Sequence, residues 1–111
     1  MNTAAPASNR IPNPARMAQN ADEAARFLRA LANDSRLMVL CSLVGGERSV
    51  GELQAWVPLS QSALSQHLAV LRREGLVATR RSAQNIYYRL DDDRVRELVP
   101  VLYDVFCEPE A

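Results

Sequence analysis

The stretch from Ser60 to Gly75, SQSALSQHLAVLRREG, restricts most narrowly what this chain can fold into. Ser60 is a favourable N-cap residue, because its hydroxyl can accept a hydrogen bond from an N–H group of the first helical turn. Gly75 suits the left-handed position that ends many helices. Leu64, Leu68 and Leu71 follow the i, i+4, i+7 spacing of a single helical face. The stretch therefore predicts a helix that packs on a core through these leucines.

The opposite face of this predicted helix is polar but carries few charges. Its residues are short or can form hydrogen bonds: Gln61, Ser62, Ser65, Gln66 and Ala69, followed by Arg72 and Arg73 at the far end. Small side chains let a helix enter the DNA major groove, Ser and Gln can bond to base edges, and Arg can reach phosphates. The face is a candidate DNA-recognition surface. Taken alone, the pattern also fits an ordinary polar surface helix.

Charge is unevenly distributed along the 111 residues, although the formal net charge is zero. Residues 60–90 contain five arginines and one glutamate, whereas residues 91–111 contain two arginines and seven acidic residues. The basic segment therefore coincides with the candidate recognition helix, as phosphate contact requires. The length suits one domain, and neither a membrane span nor a signal-peptide pattern is present, so we expect a cytoplasmic protein.

Three further helices are predicted before Ser60. Residues 1–19 are expected to form a flexible tail that could become helical near Met17, and Asn20 with Glu23 is expected to start a first helix that runs to about residue 32. Asp34 is expected to cap a second helix over residues 35–44. The predicted apolar face of that helix comprises Leu37, Leu40, Cys41 and Val44, which turns Cys41 inward. Ser49 and Glu52 form a capping-box pattern for a short third helix that ends at Pro58.

A β-hairpin and a last helix complete the predicted fold. Residues 76–81 and 86–90 are β-prone, with a loop at residues 82–85. Arg80 and Arg81 lie near the tip of this wing, where they could reach a DNA backbone or minor groove, or could simply be solvated edge-strand charges. Residues 91–93 supply acidic capping groups for the last helix. Its main apolar stripe is predicted to be Val95, Leu98, Val99, Leu102 and Phe106.

The last helix is apolar on so many sides that it should pack both on its own domain and on a second subunit. The predicted architecture is mainly α with a small β-hairpin, a winged helix-turn-helix of order α-α-α-α-β-β-α. It spans residues 20–108 and leaves a short tail at residues 109–111. Two short helices joined as tightly as those before and after Pro58 match a helix-turn-helix.

The strings LANDSRLMVLCSL, LSQSALSQHLAVLRREGLVATRR and YYRL, in this order, resemble the ArsR/SmtB family of bacterial winged-helix repressors. The resemblance covers about residues 20–107. It implies a homodimer, with first and last helices at the interface, that binds an imperfect palindrome in double-stranded DNA and releases it when an inducer binds. It also implies that Gln61, Ser62, Ser65 and Gln66 occupy the DNA-reading positions, while His67 is a structural or phosphate-side hydrogen-bonding residue.

The chain departs from the metal-sensing members of that family. It has ERSVGEL where they have an ELCVCDL-like pattern, which puts Ser49 and Gly51 in place of thiolates. The last helix offers only carboxylates, and His67 is the sole histidine. Carboxylates alone are poorly suited to selective binding of zinc or thiophilic ions. We therefore expect neither a metal site nor a cofactor.

Cys41 after LMVL and Cys107 after YDVF resemble the dithiol, persulfide-sensing subgroup of the family, the BigR/SqrR-like repressors. The resemblance implies that persulfides or oxidants link the two thiols, directly or through additional sulfur atoms, and thereby derepress genes of sulfide metabolism. Without the family, inert core thiols are the more common explanation.

Three other functions remain open from the sequence. One is a repressor of the same family that responds to a metal ion or another small-molecule inducer. Another is a winged helix that binds protein, although the polar face of the Ser60 helix does not favour it. A thiol enzyme fits least, because His67 has no evident cysteine partner in the sequence and there is no CxxC motif.

Overall fold

The computed structural model describes residues 10–107 and 109. Its elements are α1 (Pro14–Leu31), α2 (Asp34–Val44), β1 (Arg48–Ser49), α3 (Val50–Trp56), α4 (Gln61–Arg73), β2 (Val77–Ser82), β3 (Asn85–Leu90) and α5 (Asp93–Phe106). The strands form one antiparallel sheet in the order β1-β3-β2. The predicted mainly α, winged helix-turn-helix architecture is confirmed.

The core forms around α4, as its leucine spacing predicts. Leu64, Leu68 and Leu71 are almost completely buried and belong to a cluster that includes residues of α2, α3, β2, β3 and α5. The Ser60 hydroxyl accepts a hydrogen bond of 3.1 Å from the Ala63 N–H and so caps the helix. At the other end Gly75 has φ +76°, a conformation that glycine adopts without steric cost.

The first helix begins earlier than the sequence suggests. It starts at Pro14, and the Asn13 side chain caps it by accepting hydrogen bonds from the N–H groups of Ala15 and Arg16. Proline fits the first helical position because the N–H group that it lacks has no intrahelical partner there. Asn20 lies inside the helix and donates to the Arg16 carbonyl. The predicted start at Asn20 is wrong, and of the predicted 1–19 tail, residues 1–9 lie outside the described residues.

The second helix is rotated relative to its predicted face. Asn33, rather than Asp34, is the N-cap, and its side chain accepts from the Arg36 N–H at 3.0 Å. The buried apolar residues of α2 are Val39, Leu40 and Leu43. Val44 is 40% exposed, so the prediction that it faces the core is wrong, whereas Cys41 is half-buried and packs against the core cluster, as predicted.

The sheet is larger than the predicted hairpin. The two-residue strand β1 pairs with β3, with Arg48 opposite Tyr88 and Ser49 opposite Tyr87. The strands β2 and β3 extend to Ser82 and Asn85, which pair with each other. The connection is therefore a two-residue turn at residues 83–84 instead of the predicted four-residue loop. Ala83 has φ +55°, in keeping with the left-handed residues that tight hairpins require.

The last helix, α5, buries only part of its apolar surface. Asp92 caps it by accepting from the Arg94 N–H at 2.8 Å, and Val95 and Val99 enter the core. The C-terminal half is different, since Val101, Tyr103, Val105 and Phe106 are half exposed or more. Phe106, the last member of the predicted apolar stripe, is 79% exposed in the single chain. No helix among residues 10–107 is both long enough and apolar enough to cross a bilayer.

Candidate functional site

The exposed face of α4 brings together the four predicted DNA-reading residues. Gln61, Ser62, Ser65 and Gln66 are all solvent-exposed within the first two turns. Because the leucines of the same helix are buried, these side chains project away from the core. The face therefore offers hydroxyl and amide groups, with no charged side chain before the last turn.

The helix-turn-helix that carries this face is fixed by local hydrogen bonds. The Ser49 hydroxyl accepts from the Glu52 N–H at 3.2 Å, and the Glu52 carboxylate accepts from the Ser49 N–H at 2.8 Å. These bonds lower the pKa of Glu52, chiefly through the backbone N–H. Val57, between the helices, is buried. The entry to α3 and the turn before α4 are thus both anchored.

Arg72 lies at the exposed end of α4, and Arg80 and Arg81 lie on the wing. Arg80 donates to the Glu47 carboxylate at 2.7–2.9 Å, and its guanidinium lies 4.6 Å from the centre of the Tyr87 ring. The shared hydrogen bond raises the pKa of Arg80 and lowers that of Glu47. Arg80 is therefore held against the sheet by its neighbours.

His67 faces a different part of the molecule from Ser65 and Gln66. It is half-buried, and its Nδ1 lies 3.5 Å from a guanidinium nitrogen of Arg36. Arg36 also donates to the Ala30 carbonyl at 2.7 Å, which ties α2 to the end of α1. This position agrees with a structural role for His67.

Both cysteines line one apolar groove of about 400 Å³. Cys41 lies in the middle of α2 and is half-buried, while Cys107 is exposed at the C-cap of α5, where its N–H donates to the Tyr103 carbonyl at 2.8 Å. Both thiols are free. The remaining lining residues come from α2, α3 and α5: Leu37, Met38, Trp56, Val99, Leu102, Tyr103 and Phe106.

The groove holds both thiols in an apolar setting. No residue lining it carries a formal positive charge that would stabilise a thiolate. Both thiols therefore share one apolar space that is open to solvent.

Within residues 10–107 and 109, no three His, Cys, Asp or Glu side chains converge in an arrangement able to hold a metal ion. Ser49, which stands where metal-sensing relatives are expected to have a thiolate, instead caps α3.

Comparison with known proteins places this fold in a family. The profile described as "Bacterial regulatory protein, arsR family" matches residues 33–79, from the start of α2 into β2. The biofilm growth-associated repressor of Agrobacterium fabrum is 50% identical over 100 residues, which are 90% of this chain and 85% of that protein. The transcriptional activator HlyU of Vibrio cholerae is 48% identical over 92 residues, 83% of this chain and 85% of that protein.

A solved structure agrees with these relatives. The crystal structure of the transcriptional repressor BigR from Xylella fastidiosa superposes with a TM-score of 0.84 at 43% identity, covering 88% of this chain and 100% of that chain. The similarity therefore extends well beyond the residues that the profile matches. This chain therefore belongs to the ArsR family of bacterial regulatory proteins and is a winged helix-turn-helix transcriptional regulator.

Proposed function

We propose that this protein is a DNA-binding repressor that releases its operator when a persulfide or an oxidant links Cys41 to Cys107. The observation that carries the proposal is that both thiols line one groove between α2 and α5. The genes controlled would concern sulfide metabolism, since their products would remove the reactive sulfur that triggers release. The similarity to BigR and to a biofilm growth-associated repressor supports repression as the mode of control.

The exposed face of α4 would read the operator in the major groove. Gln61, Ser62, Ser65 and Gln66 supply donors and acceptors for base edges, and Arg72 supplies a charge for the phosphate backbone. On the wing, Arg81 is exposed and would contact the backbone or minor groove. Arg80 would join it only by exchanging Glu47 for phosphate.

A homodimer would present two such faces to a palindrome. The exposed apolar residues of α5, including Val101, Val105 and Phe106, would be covered by the same surface of a second copy, together with Leu28 on α1. The two α4 helices must then meet half-sites about 34 Å apart, which is one turn of DNA. A change in the relative orientation of the subunits would spoil this match.

The linking reaction needs only the two thiols and one persulfide, RSSH. The thiolate of one cysteine attacks the outer sulfur, the S–S bond of the reagent breaks, and the thiol RSH leaves. The second thiolate attacks the inner, cysteine-bound sulfur, so that a disulfide forms and H₂S leaves. The two protein thiols are oxidised by two electrons, and the two sulfur atoms of the persulfide are released in reduced form.

Linkage would act on DNA binding through the packing of α2. This helix contacts both α4 and α5. A bond from Cys41 to Cys107 would therefore fix α2, which packs against the proposed recognition helix α4, to the proposed dimer helix α5. To change operator occupancy from 99% to 1%, the crosslink must shift the free-energy difference between the DNA-binding and the non-binding arrangement of the dimer by about 5.5 kcal/mol.

The test is fluorescence anisotropy on DNA from the protein's own promoter at fixed salt, because phosphate contacts make affinity strongly salt-dependent. Reduced protein should bind tightly and specifically, and treatment with glutathione persulfide should cause a large loss of affinity that reductant reverses. Unchanged tight binding after treatment would remove the sulfur-sensing part of the proposal, and absence of specific binding by the reduced protein would remove the repressor itself.

A second candidate is a repressor of the same family with a different inducer. The apolar groove is open and large enough for a small hydrophobic molecule, which favours an apolar inducer over a metal ion. It would be supported if apolar compounds released the operator from a Cys41→Ser, Cys107→Ser variant while persulfide had no effect on the wild type.

A further inference from the structure

We propose that the DNA interface continues from α4 onto α1 through a basic cleft that would bind the phosphate backbone. The cleft lies between α1, the start of α2 and the end of α4, and we call it the α1–α4 cleft. Its charged lining residues are Arg26, Arg29, Arg36, Arg73 and Glu74, and its volume is about 320 Å³. The inference rests on the proposed DNA-binding function and extends it to residues outside the helix-turn-helix.

The charges of the cleft are strongly unbalanced. Four guanidinium groups face one carboxylate, that of Glu74. Arg26 donates to this carboxylate at 2.8 Å, so the single negative charge is already paired. The Arg73 Nε lies 4.0 Å from the same carboxylate, at the outer limit of an ion pair. The lining therefore retains an excess of positive charge and would attract an anion.

The cleft is also preorganised. Arg36 donates to the carbonyl groups of Ala30 and Arg29, so its guanidinium is fixed at the junction of α1 and α2. The bond between Arg26 and Glu74 holds α1 against the end of α4. Arg29 and Arg73 are exposed like Arg26, but unlike Arg26 neither of them bridges two helices through a hydrogen bond of its guanidinium. They are the two arginines best placed to meet a ligand from solvent.

The position of the cleft along α4 indicates what this ligand is. Arg73 lies on the same stripe as Ser62, Gln66 and Ala69, with the i, i+4, i+7, i+11 spacing of one helical face. Eleven residues of helix span about 16 Å, whereas the major groove is about 12 Å wide. When Ser62 is at the base edges, Arg73 has passed the edge of the groove, where the phosphates lie. The adjoining cleft would therefore meet the DNA backbone.

The experiment compares Arg29→Gln and Arg73→Gln with Arg16→Gln, the matched control. Arg16 is an exposed arginine on the same helix as Arg29, about 20 Å away along its axis. Arg26 and Arg36 are left intact because both hold helices together. Anisotropy is recorded with operator DNA and with a scrambled duplex from about 50 to about 200 mM salt. Thermal melting is recorded for each variant.

Each test variant should weaken binding to both duplexes by a similar factor, because phosphate contacts carry no sequence information. The slope of log affinity against log salt should become shallower by about 0.9 for each phosphate that is no longer neutralised, or about 1.8 for a dimer. The ratio of wild-type affinity to variant affinity should therefore fall about twelvefold as the salt concentration rises from about 50 to about 200 mM. Arg16→Gln should match the wild type, and Arg29→Lys should have a salt slope closer to that of the wild type than to that of Arg29→Gln.

The outcomes separate this inference from the proposed function. If the wild type does not bind the operator, the proposed function fails. If the wild type binds while both test variants keep its affinity and salt slope, the α1–α4 cleft does not contact DNA. A loss confined to the operator, with the scrambled duplex unaffected, would also overturn the inference, because it would indicate base recognition instead of phosphate binding.

Discussion

Arg80 shows how a neighbour far away in the sequence can redirect a charged side chain. Its position near the wing tip suggests contact with DNA, but Glu47, in the segment before β1, engages it with three hydrogen bonds of 2.7–2.9 Å. No local pattern indicates this pairing, because it depends on β1 joining β3. Arg81, on the opposite face of β2, remains exposed.

Replacement of Glu47 by Gln should release Arg80. The neutral amide keeps the size of the side chain but loses the charge that holds the guanidinium, so Arg80 becomes available to phosphate. We expect tighter binding to scrambled duplex DNA and a salt slope steeper by up to about 0.9 per subunit in anisotropy titrations. Glu97→Gln removes the same charge from an exposed position on α5 and serves as the control. Equal salt slopes for the two variants would argue against Arg80 as a potential DNA contact.

Asp92 should make stability depend on pH. The side-chain hydrogen bond from Arg94 holds the pKa of Asp92 below its ordinary value. Its contribution to stability is therefore present above the unfolded-state pKa of about 3.9 and is lost as the pH falls through the lower folded-state pKa. Asp92→Asn keeps an N-cap residue but removes the charge. Its free energy of unfolding in urea should be lower than that of the wild type at pH 7, and the gap should narrow in acid.

The control for Asp92 is the same substitution in an Arg94→Gln background. If the ion pair is the cause, the gap at pH 7 should be smaller there, because the partner that lowers the pKa is gone. If the difference in free energy of unfolding caused by Asp92→Asn depends on neither pH nor Arg94, Asp92 stabilises the protein only as a helix cap.

At the scale of the elements, two serines that lie two positions apart at the start of α4 have different roles, one in stability and one in the proposed recognition of DNA. Ser60 caps the helix through its hydroxyl, while Ser62 is exposed on the face proposed to read DNA. Ser60→Ala should lower the free energy of unfolding by about 1 kcal/mol, measured by urea denaturation. Ser62→Ala should leave that value nearly unchanged and weaken operator binding more than binding to scrambled DNA. Equal effects of the two substitutions on both measurements would contradict this division of roles.

Elements with strong local signals are predictable from the sequence, and elements defined by distant contacts are not. The leucine spacing and Ser60 place α4 correctly because helical periodicity and capping are local. The predicted start of α1 is wrong because Asn20 resembles a cap, although Asn13 followed by Pro14 is the stronger signal. Strand β1 has only two residues and is defined by pairing with β3, so no periodicity could reveal it.

The same contrast applies to the candidate site. The polar face of α4 is readable in the sequence because its members lie within two turns of one helix. The groove is not, because it depends on how α2, α3 and α5 pack together. Nothing in the spacing of Cys41 and Cys107 brings them together, and only the family resemblance suggests their pairing. Trp56, which also lines the groove, carries no sequence signal of this role for the same reason.

For the whole molecule, the arrangement of α2 links the groove to the proposed DNA-reading face. One side of this helix contributes Cys41 to the groove, and others contact α3 and α4 of the helix-turn-helix. The far wall of the groove is α5, on which Val101 and Val105 are exposed in the single chain and available to a second copy. In the proposed homodimer, a covalent bond across the groove would therefore join the two parts whose relative position sets the spacing of the two α4 helices.

The most direct test of this account is operator anisotropy after glutathione persulfide treatment, with the wild type beside Cys41→Ser and Cys107→Ser. All three reduced proteins should bind the operator equally, because neither thiol lies on the DNA-reading face. After treatment the wild type should lose the operator, and both variants should remain bound, since neither can form the link. Release of the treated variants, or continued tight binding by the treated wild type, would contradict a switch built from these two cysteines.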